Sequence, residues 1–324
     1  MNSQILGTGS YVPDQVLTNA ELERMVETSD VWIRERTGIR ERRIAKSGQP
    51  CSDLATRAGR QALAAAKLSA SDLDLILVAT CTGDSPLPAT ACLVQHHLGA
   101  TRAAACDVGA ACCGFLYALT IADAYVRTGA RAVLVIGAEV MSVITDWTDR
   151  NTCVLFGDGA GAVVVGPTND DVGIQAVRLH ANGQLAHVIE VPGGGSRYPA
   201  SEHIIQNKLP YIKMRGNETF KIAVKTMEEA VREVLAVTNV SIEQIDLFIP
   251  HQANIRILQA VGQRLGLPMN KTVINLDRLG NTSAASIPLA IDEAVRNGRI
   301  RKGMRVLIAA FGAGLTWGAG LIRW

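Results

Sequence analysis

Four short stretches hold residue types able to act on a carbonyl group. The first is Ala104-Ala-Cys-Asp-Val-Gly-Ala-Ala-Cys-Cys-Gly-Phe115. Small residues close an apolar strand, and Cys112 falls where a long helix begins. The first N–H groups of a helix lack intrahelical partners, and its dipole is positive at that end. A thiolate there is stabilised, so the Cys112 pKa is expected to fall and the sulfur to act as a nucleophile near neutral pH. The plainer reading makes Cys112 and Cys113 small core residues, as free cysteines often are.

The second stretch, Pro250-His-Gln-Ala-Asn254, directly follows an apolar strand. Ligands of parallel sheets bind beyond the carboxyl ends of the strands, which puts His251 where a site belongs. The other histidines (96, 97, 180, 187 and 203) have no such setting. The third, Gly280-Asn-Thr-Ser-Ala-Ala-Ser286, opens a helix. Asn281 there is either an N-cap or an amide aimed at a developing oxyanion. In the fourth, Phe311-Gly-Ala-Gly-Leu-Thr-Trp317, a glycine-rich turn lets backbone approach a ligand closely; otherwise it is a tight turn between strands. Phe156-Gly-Asp-Gly-Ala-Gly-Ala162 lacks the spacing and following helix of a dinucleotide loop.

The elements that must position these residues alternate. A strand is expected at Gln4–Gly7, and a capping box at Thr18-Asn-Ala-Glu21 starts a helix to about Glu27. Trp32 to Arg43 reads as a polar, basic loop. Helices are expected from Ser52 to Lys67 and from Ala89 to Leu98. The apolar run Leu73–Thr80 has the character of a strand buried on both faces, and strands are expected at 132–137 and 161–166. After a variable middle (168–210) the pattern resumes. Helices are expected at 217–238, 255–265 and 281–297, with strands at 245–250, 272–275 and 304–310. Such alternation argues for a layered α/β fold.

The second series repeats the first. Leu68-Ser-Ala-Ser-Asp-Leu-Asp-Leu-Ile76 matches Val240-Ser-Ile-Glu-Gln-Ile-Asp-Leu-Phe248 at an offset of 172, and the Cys112–Gly129 stretch matches Asn281–Gly298 at 169. Two copies of one α/β unit, residues 1–170 and 171–324, would then pack face to face. Cys112 and Asn281 would hold equivalent helix starts and meet His251 in a central cleft.

Composition bounds the rest. The chain has 324 residues, 48% apolar and 4% aromatic, with 30 glycines. That is enough chain for a large core. A net charge of +2 does not point to nucleic acid. The seven cysteines show no CxxC spacing, so neither a disulfide framework nor a metal site is expected. No leader-like start and no uncharged apolar run of about 18 residues occurs. A reduced, cytoplasmic protein is expected.

Six stretches together resemble the thiolase superfamily, and closely the β-ketoacyl-acyl carrier protein synthase III family, the initiating condensing enzymes of type II fatty acid synthesis. They are Thr28-Ser-Asp-Val-Trp-Ile-Arg-Glu-Arg-Thr-Gly-Ile39, Asp107–Phe115, Phe156–Ala162, His251–Asn254, Gly280–Ser286 and Gly314-Leu-Thr-Trp-Gly318, in the family's order. The resemblance implies a thiolase-like fold, with two duplicated halves in an α-β-α-β-α stack. It implies condensation of a short acyl-CoA with malonyl-acyl carrier protein through acyl-Cys112, with no separate cofactor. His251 and Asn281 would stabilise the enolate, and the backbone N–H groups of Cys112 and Ala313 the tetrahedral oxyanion. Ala313 stands where family members often carry glycine.

The same resemblance assigns binding residues. Trp32, Arg36, Thr37, Arg150 and Asn217 would hold CoA, and Leu87 the end of the acyl pocket, where some members carry an aromatic residue. Branched and longer primers are therefore open. Lys221, Arg256 and Arg264 would dock the acidic carrier protein, and a homodimer is implied. The alternative within the class is an acyltransferase or condensing enzyme of secondary metabolism.

Overall fold

The apolar run before Thr80 forms the strand Leu75–Ala79, buried throughout, between two parallel neighbours, Val133–Val140 and Ala104–Val108. In the computed structural model, which describes residues 2–324, the sheet continues outward from Val133–Val140 through two antiparallel strands, Asp158–Thr168 and Asn2–Tyr11. A second sheet repeats this connectivity. Leu247–Pro250 and Arg305–Gly312 run parallel, followed by antiparallel Thr316–Arg323 and Gly173–Ala181. Its fifth strand, expected at 272–275, is reduced to one bridge between Phe248 and Thr272.

Period-two alternation divides the buried side chains between layers. Leu75, Leu77 and Ala79 point inward to a core shared by both sheets and by the helices Gly114–Arg127 and Ser286–Arg296. Ile76 and Val78 point outward, beneath the helices Cys51–Ala66 and Thr90–Leu98. Gly216–Thr238 and Ile255–Leu265 cover the second sheet. The result is the expected α-β-α-β-α stack. Close approach in the middle layer depends on Gly137, where a Cβ would stand 2.2 Å from the Ala284 carbonyl oxygen.

The internal repeat is real, but its register differs from the expected one. Each inner helix is preceded by a tight turn, Ala111–Cys113 in one copy and Ser283–Ala285 in the other. Each turn opens on a residue with positive φ, 44° at Ala111 and 49° at Ser283. The offset is therefore 172 at the helix starts and 169 at their ends, because the second helix has 11 residues against 14. Cys112 is thus equivalent to Ala284. Asn281 is equivalent to Gly109, on the approach to the turn.

Residues 32–43 are ordered rather than a loop. Ser29 caps the helix Asp30–Thr37, Gly38 ends it at φ 80°, and Glu41–Ile44 pairs with Gln15–Thr18. The Thr18–Glu21 capping box forms, yet its helix stops at Leu22. The middle region supplies Gly173–Ala181, an edge strand of the second sheet.

Candidate active site

Cys112, His251, Asn281 and Ala313 line one cavity of about 920 Å³. Each arrives at the end of a strand or the start of a helix, from both copies. His251 follows Leu247–Pro250 and donates its backbone N–H to the Ala309 carbonyl at 2.8 Å. It is buried, and burial alone drives its pKa down to about 3. The ring is neutral. Its Nδ1 lies 2.6 Å from Ser286 Oγ, which also accepts from the Gln252 N–H at 3.4 Å. With Ser286 donating to Nδ1, all three groups are satisfied and the ring proton sits on Nε2.

Asn281 is locked from both sides. Its N–H donates to the Leu155 carbonyl at 2.8 Å, and its carbonyl accepts from Gly157 N–H at 3.1 Å. Its Oδ1 accepts from Ser283 N–H at 2.9 Å. The side-chain acceptor is therefore spent locally, and the NH₂ group is the end left for a ligand.

The half-buried Cys112 behaves differently from the sequence expectation. Its thiol is pushed up to about 11, chiefly by burial and further by the nearby Glu139 charge, against a lowering by the Ser283 hydroxyl. A helix start favours the thiolate, but a dry pocket favours the neutral form more strongly. Cys113 is fully buried in the central core, its thiol pushed up by burial and by Cys112.

The strand Arg305–Gly312 ends against the nucleophile. A Cβ on Gly312 would stand 2.8 Å from the Cys112 nitrogen. Positive φ in the following turn falls on Gly314, at 132°, and not on Ala313. Alanine is therefore compatible with the turn that presents the Ala313 N–H.

Trp32, Arg36, Thr37 and Asn217 line the same cavity. The Thr37 hydroxyl is already engaged with the Ile33 carbonyl and Ile39 N–H. Arg150 lies outside the lining and sits over Trp32, 4.5 Å from the ring centroid. That contact covers the ring, so an aromatic base stacking in place of the guanidinium must displace Arg150. Lys221 and Arg256 line the cavity as well.

Two of the expected residues lie off the cavity wall. Leu87 is 87% exposed and absent from the cavity wall, because the Ser85–Pro88 segment turns outward before the helix at Thr90. Arg264 lies away from the cavity and is paired with Glu228 at 3.0 Å. Two residues were not found from sequence. Glu139 is fully buried at the end of an otherwise apolar strand, and Ser283 lines the cavity beside Cys112. A carboxylate inside the apolar run 132–140 was the available signal.

Two duplicated halves that bring a cysteine from one copy together with a histidine and an asparagine from the other define a thiolase-like acyl-transferring enzyme. Comparison with known proteins narrows the class. The family described as 3-oxoacyl-[acyl-carrier-protein (ACP)] synthase III matches residues 106–183, and its C-terminal counterpart matches residues 235–324. The β-ketoacyl-[acyl-carrier-protein] synthase III of Caldanaerobacter subterraneus subsp. tengcongensis is 54% identical over 321 residues, 99% of this chain and 97% of that one. The like-named protein of Alkalilimnicola ehrlichii is 52% identical, covering 99% of each. The crystal structure of 3-oxoacyl-[acyl-carrier-protein] synthase III from Aquifex aeolicus VF5 superposes with a TM-score of 0.93 at 49% identity, over 99% of this chain and 100% of that one. The chain belongs to the β-ketoacyl-[acyl-carrier-protein] synthase III family.

Proposed function

We propose that this enzyme condenses a short acyl-CoA with malonyl-acyl carrier protein, giving a 3-oxoacyl-acyl carrier protein and initiating fatty acid synthesis. The observation that carries the reading is the shared cavity, which is lined together by the Cys112 thiol, the neutral His251 imidazole and the Asn281 amide. Residues 1–170 form the half with the nucleophile, and 171–324 the half with its donors.

In the first stage the Cys112 sulfur attacks the acyl thioester carbonyl, and CoA leaves. In the second, the bond to the malonyl carboxylate breaks and CO₂ departs. The electron pair moves onto the thioester oxygen, where Nε2–H of His251 and the Asn281 NH₂ donate to it. A neutral ring with its proton on Nε2 suits that task. The carbanion carbon attacks the acyl-Cys112 carbonyl. The backbone N–H groups of Cys112 and Ala313 hold the tetrahedral oxyanion; its collapse breaks the carbon–sulfur bond and releases the Cys112 thiolate, which takes up a proton from solvent. Losing one oxyanion donor costs about 10²–10³ in rate.

The nucleotide end of CoA is assigned to Trp32, Arg36 and Arg150, and its pantetheine arm to Thr37 and Asn217. Lys221 and Arg256 supply the cationic face for an acidic carrier protein. Arg264, on the same helix as Arg256 and paired with Glu228 at 3.0 Å, extends that face. No separate cofactor takes part in this scheme. A homodimer is supported by the strand Ala104–Val108, a largely exposed edge with a free hydrogen-bonding side. Seven free cysteines suit a reducing cytoplasm, and among the described residues no helix is long and apolar enough to cross a membrane.

The test is labelled acyl-CoA given to the purified protein, followed by peptide mapping. Label at Cys112 supports the reading; label at Cys113 overturns it. Replacement of His251 or Asn281 is expected to abolish malonyl decarboxylation while sparing acyl transfer.

A further inference from the structure

Asn281 can stabilise an enolate only if its amide turns the nitrogen, and not the oxygen, toward the substrate. The backbone of Asn281 is fixed by its bonds to Leu155 and Gly157. Among the described residues the amide itself is held by one hydrogen bond, from Ser283 N–H to Oδ1 at 2.9 Å. An N–H donor is satisfied only by the oxygen, so this bond decides which end of the amide is left for a ligand. Rotated half a turn, the amide would set a lone pair against the growing negative charge.

The direction of the Ser283 N–H is set from the other copy. Ser283 opens its turn at φ 49°, a state that costs energy in a residue with a Cβ, so the surroundings must hold it. Its hydroxyl donates to Glu139 Oε1 at 2.9 Å, across the boundary between the two copies. Glu139 lies near the end of Val133–Val140 and is fully buried. Its Oε2 accepts from the Thr82 hydroxyl at 2.5 Å, the Cys81 N–H at 3.1 Å and the Thr80 hydroxyl at 3.2 Å. Those three bonds fix the carboxylate with Oε1 turned to Ser283. Two residues earlier on the strand, Gly137 lets the backbone press against the Ala284 carbonyl, so strand and turn pack as one piece.

The repeat supplies an internal comparison. The first copy has the same turn, opened by Ala111 at φ 44°. Its counterpart of Asn281 is Gly109, and its counterpart of Ser283 is Ala111. The hydroxyl is therefore not needed to make the turn. It is absent from the copy that has no amide to aim and present in the copy that has one.

We propose that Glu139 and Ser283 are positioning residues for Asn281: the carboxylate anchors the serine hydroxyl, and the anchored serine N–H keeps the amide nitrogen facing the enolate. The inference rests on Asn281 being an enolate donor. The half that carries the nucleophile thereby also aims a donor of the other half.

The test compares the full-length wild type, Ser283→Ala, Glu139→Gln and Asn281→Ala in two steps. One is transfer of labelled acetyl from acetyl-CoA to Cys112. The other is CO₂ release from malonyl-acyl carrier protein by the acetylated enzyme. Ala111 shows that alanine adopts this turn, so Ser283→Ala keeps the proposal testable if Glu139→Gln fails to fold. Ser283→Ala is expected to slow CO₂ release about tenfold, the scale of one hydrogen bond. Its acetyl transfer and its half-saturating concentration of malonyl-acyl carrier protein should stay near wild type. The Glu139→Gln amide can still donate to the Ser283 oxygen, so its CO₂ release should fall no more than about threefold. Undiminished CO₂ release by Ser283→Ala, an equal loss of both steps, or weaker saturation at an unchanged maximal rate overturns the positioning role. Glu139→Gln as slow as Ser283→Ala overturns the part given to Glu139. Undiminished CO₂ release by Asn281→Ala would instead overturn the donor role of Asn281 itself.

Discussion

The imidazole of His251 is held at Nδ1 by the hydroxyl of Ser286, 2.6 Å away on the first turn of the same copy's inner helix. One hydroxyl decides which nitrogen carries the proton of a neutral ring. Without it Nδ1 is free to be protonated, and part of the ring population turns an acceptor toward the cavity. Ser286→Ala is expected to lower the rate of malonyl decarboxylation about tenfold, the equivalent of ~1.4 kcal/mol. The KM for malonyl-acyl carrier protein should hardly change. A raised KM with an unchanged kcat would mean that Ser286 serves packing alone.

The depressed His251 pKa has a consequence for stability. The unfolded ring takes up a proton near 6.5, the folded one only near 3. Between those values the unfolded state binds more protons, so this contribution is fully present above pH 6.5 and is lost as pH falls toward 3. Each unit in that window carries ~1.4 kcal/mol from this one group. Urea unfolding of wild type and His251→Gln at several values between pH 4 and 7 isolates it. The wild type should lose stability with acid more steeply than the variant, and parallel curves would refute the assignment.

The nucleotide end of the cavity makes a separate prediction. Arg150 and Arg36 lie 4.5 and 5.9 Å from the Trp32 ring centroid. If an adenine stacks there in place of Arg150, Trp32→Ala should raise the KM for acyl-CoA about tenfold, since stacking of one base is worth ~1–3 kcal/mol. The kcat should stay near wild type. Acyl-pantetheine, which lacks the nucleotide, should be used equally well by both proteins. An equal loss with both substrates would place the tryptophan in the fold rather than the binding site.

The parts of the site legible in sequence were those whose role follows from local position. Cys112, His251 and Asn281 each stand at a strand end or helix start, and short spacing sufficed to find them. The equivalence of Cys112 with Asn281 was misread because the two inner helices differ by three residues, which no match at constant offset reveals. The basic stretch 32–43 suggested a solvated loop. Charge pattern alone did not show that Arg42 would be fully buried, donating to Asn19 Oδ1 and to the carbonyls of Leu17 and Val154. Glu139 and Ser283 are 144 residues apart, and only the packing of two turns brings them together. The direction of the Cys112 pKa likewise depends on how dry the finished cavity is.

Gly312 provides the most direct probe of the oxyanion site. A Cβ at this position would approach the Cys112 nitrogen to 2.8 Å, the Cys113 nitrogen to 3.1 Å and the Cys112 Cβ to 3.2 Å. Two of those three atoms are backbone, and the turn carrying them is clamped between the inner helix and the second sheet. Gly312 also pairs with Thr316, whose hydroxyl donates to the Ala110 carbonyl at 3.1 Å, so the strand end has little room to retreat. Gly312→Ala must therefore displace the Cys112 N–H, the Ala313 N–H, or both. Loss of one such donor costs about 10²–10³ in rate. Both acyl transfer and condensation pass through a tetrahedral oxyanion on this carbon, so both should fall together, unlike the selective losses expected at His251 and Asn281. The strands on either side are unchanged, and a thermal midpoint within a few degrees of wild type would show that the fold tolerates the methyl group. Under that condition, wild-type acylation by Gly312→Ala would rule out the Cys112 N–H as the oxyanion donor.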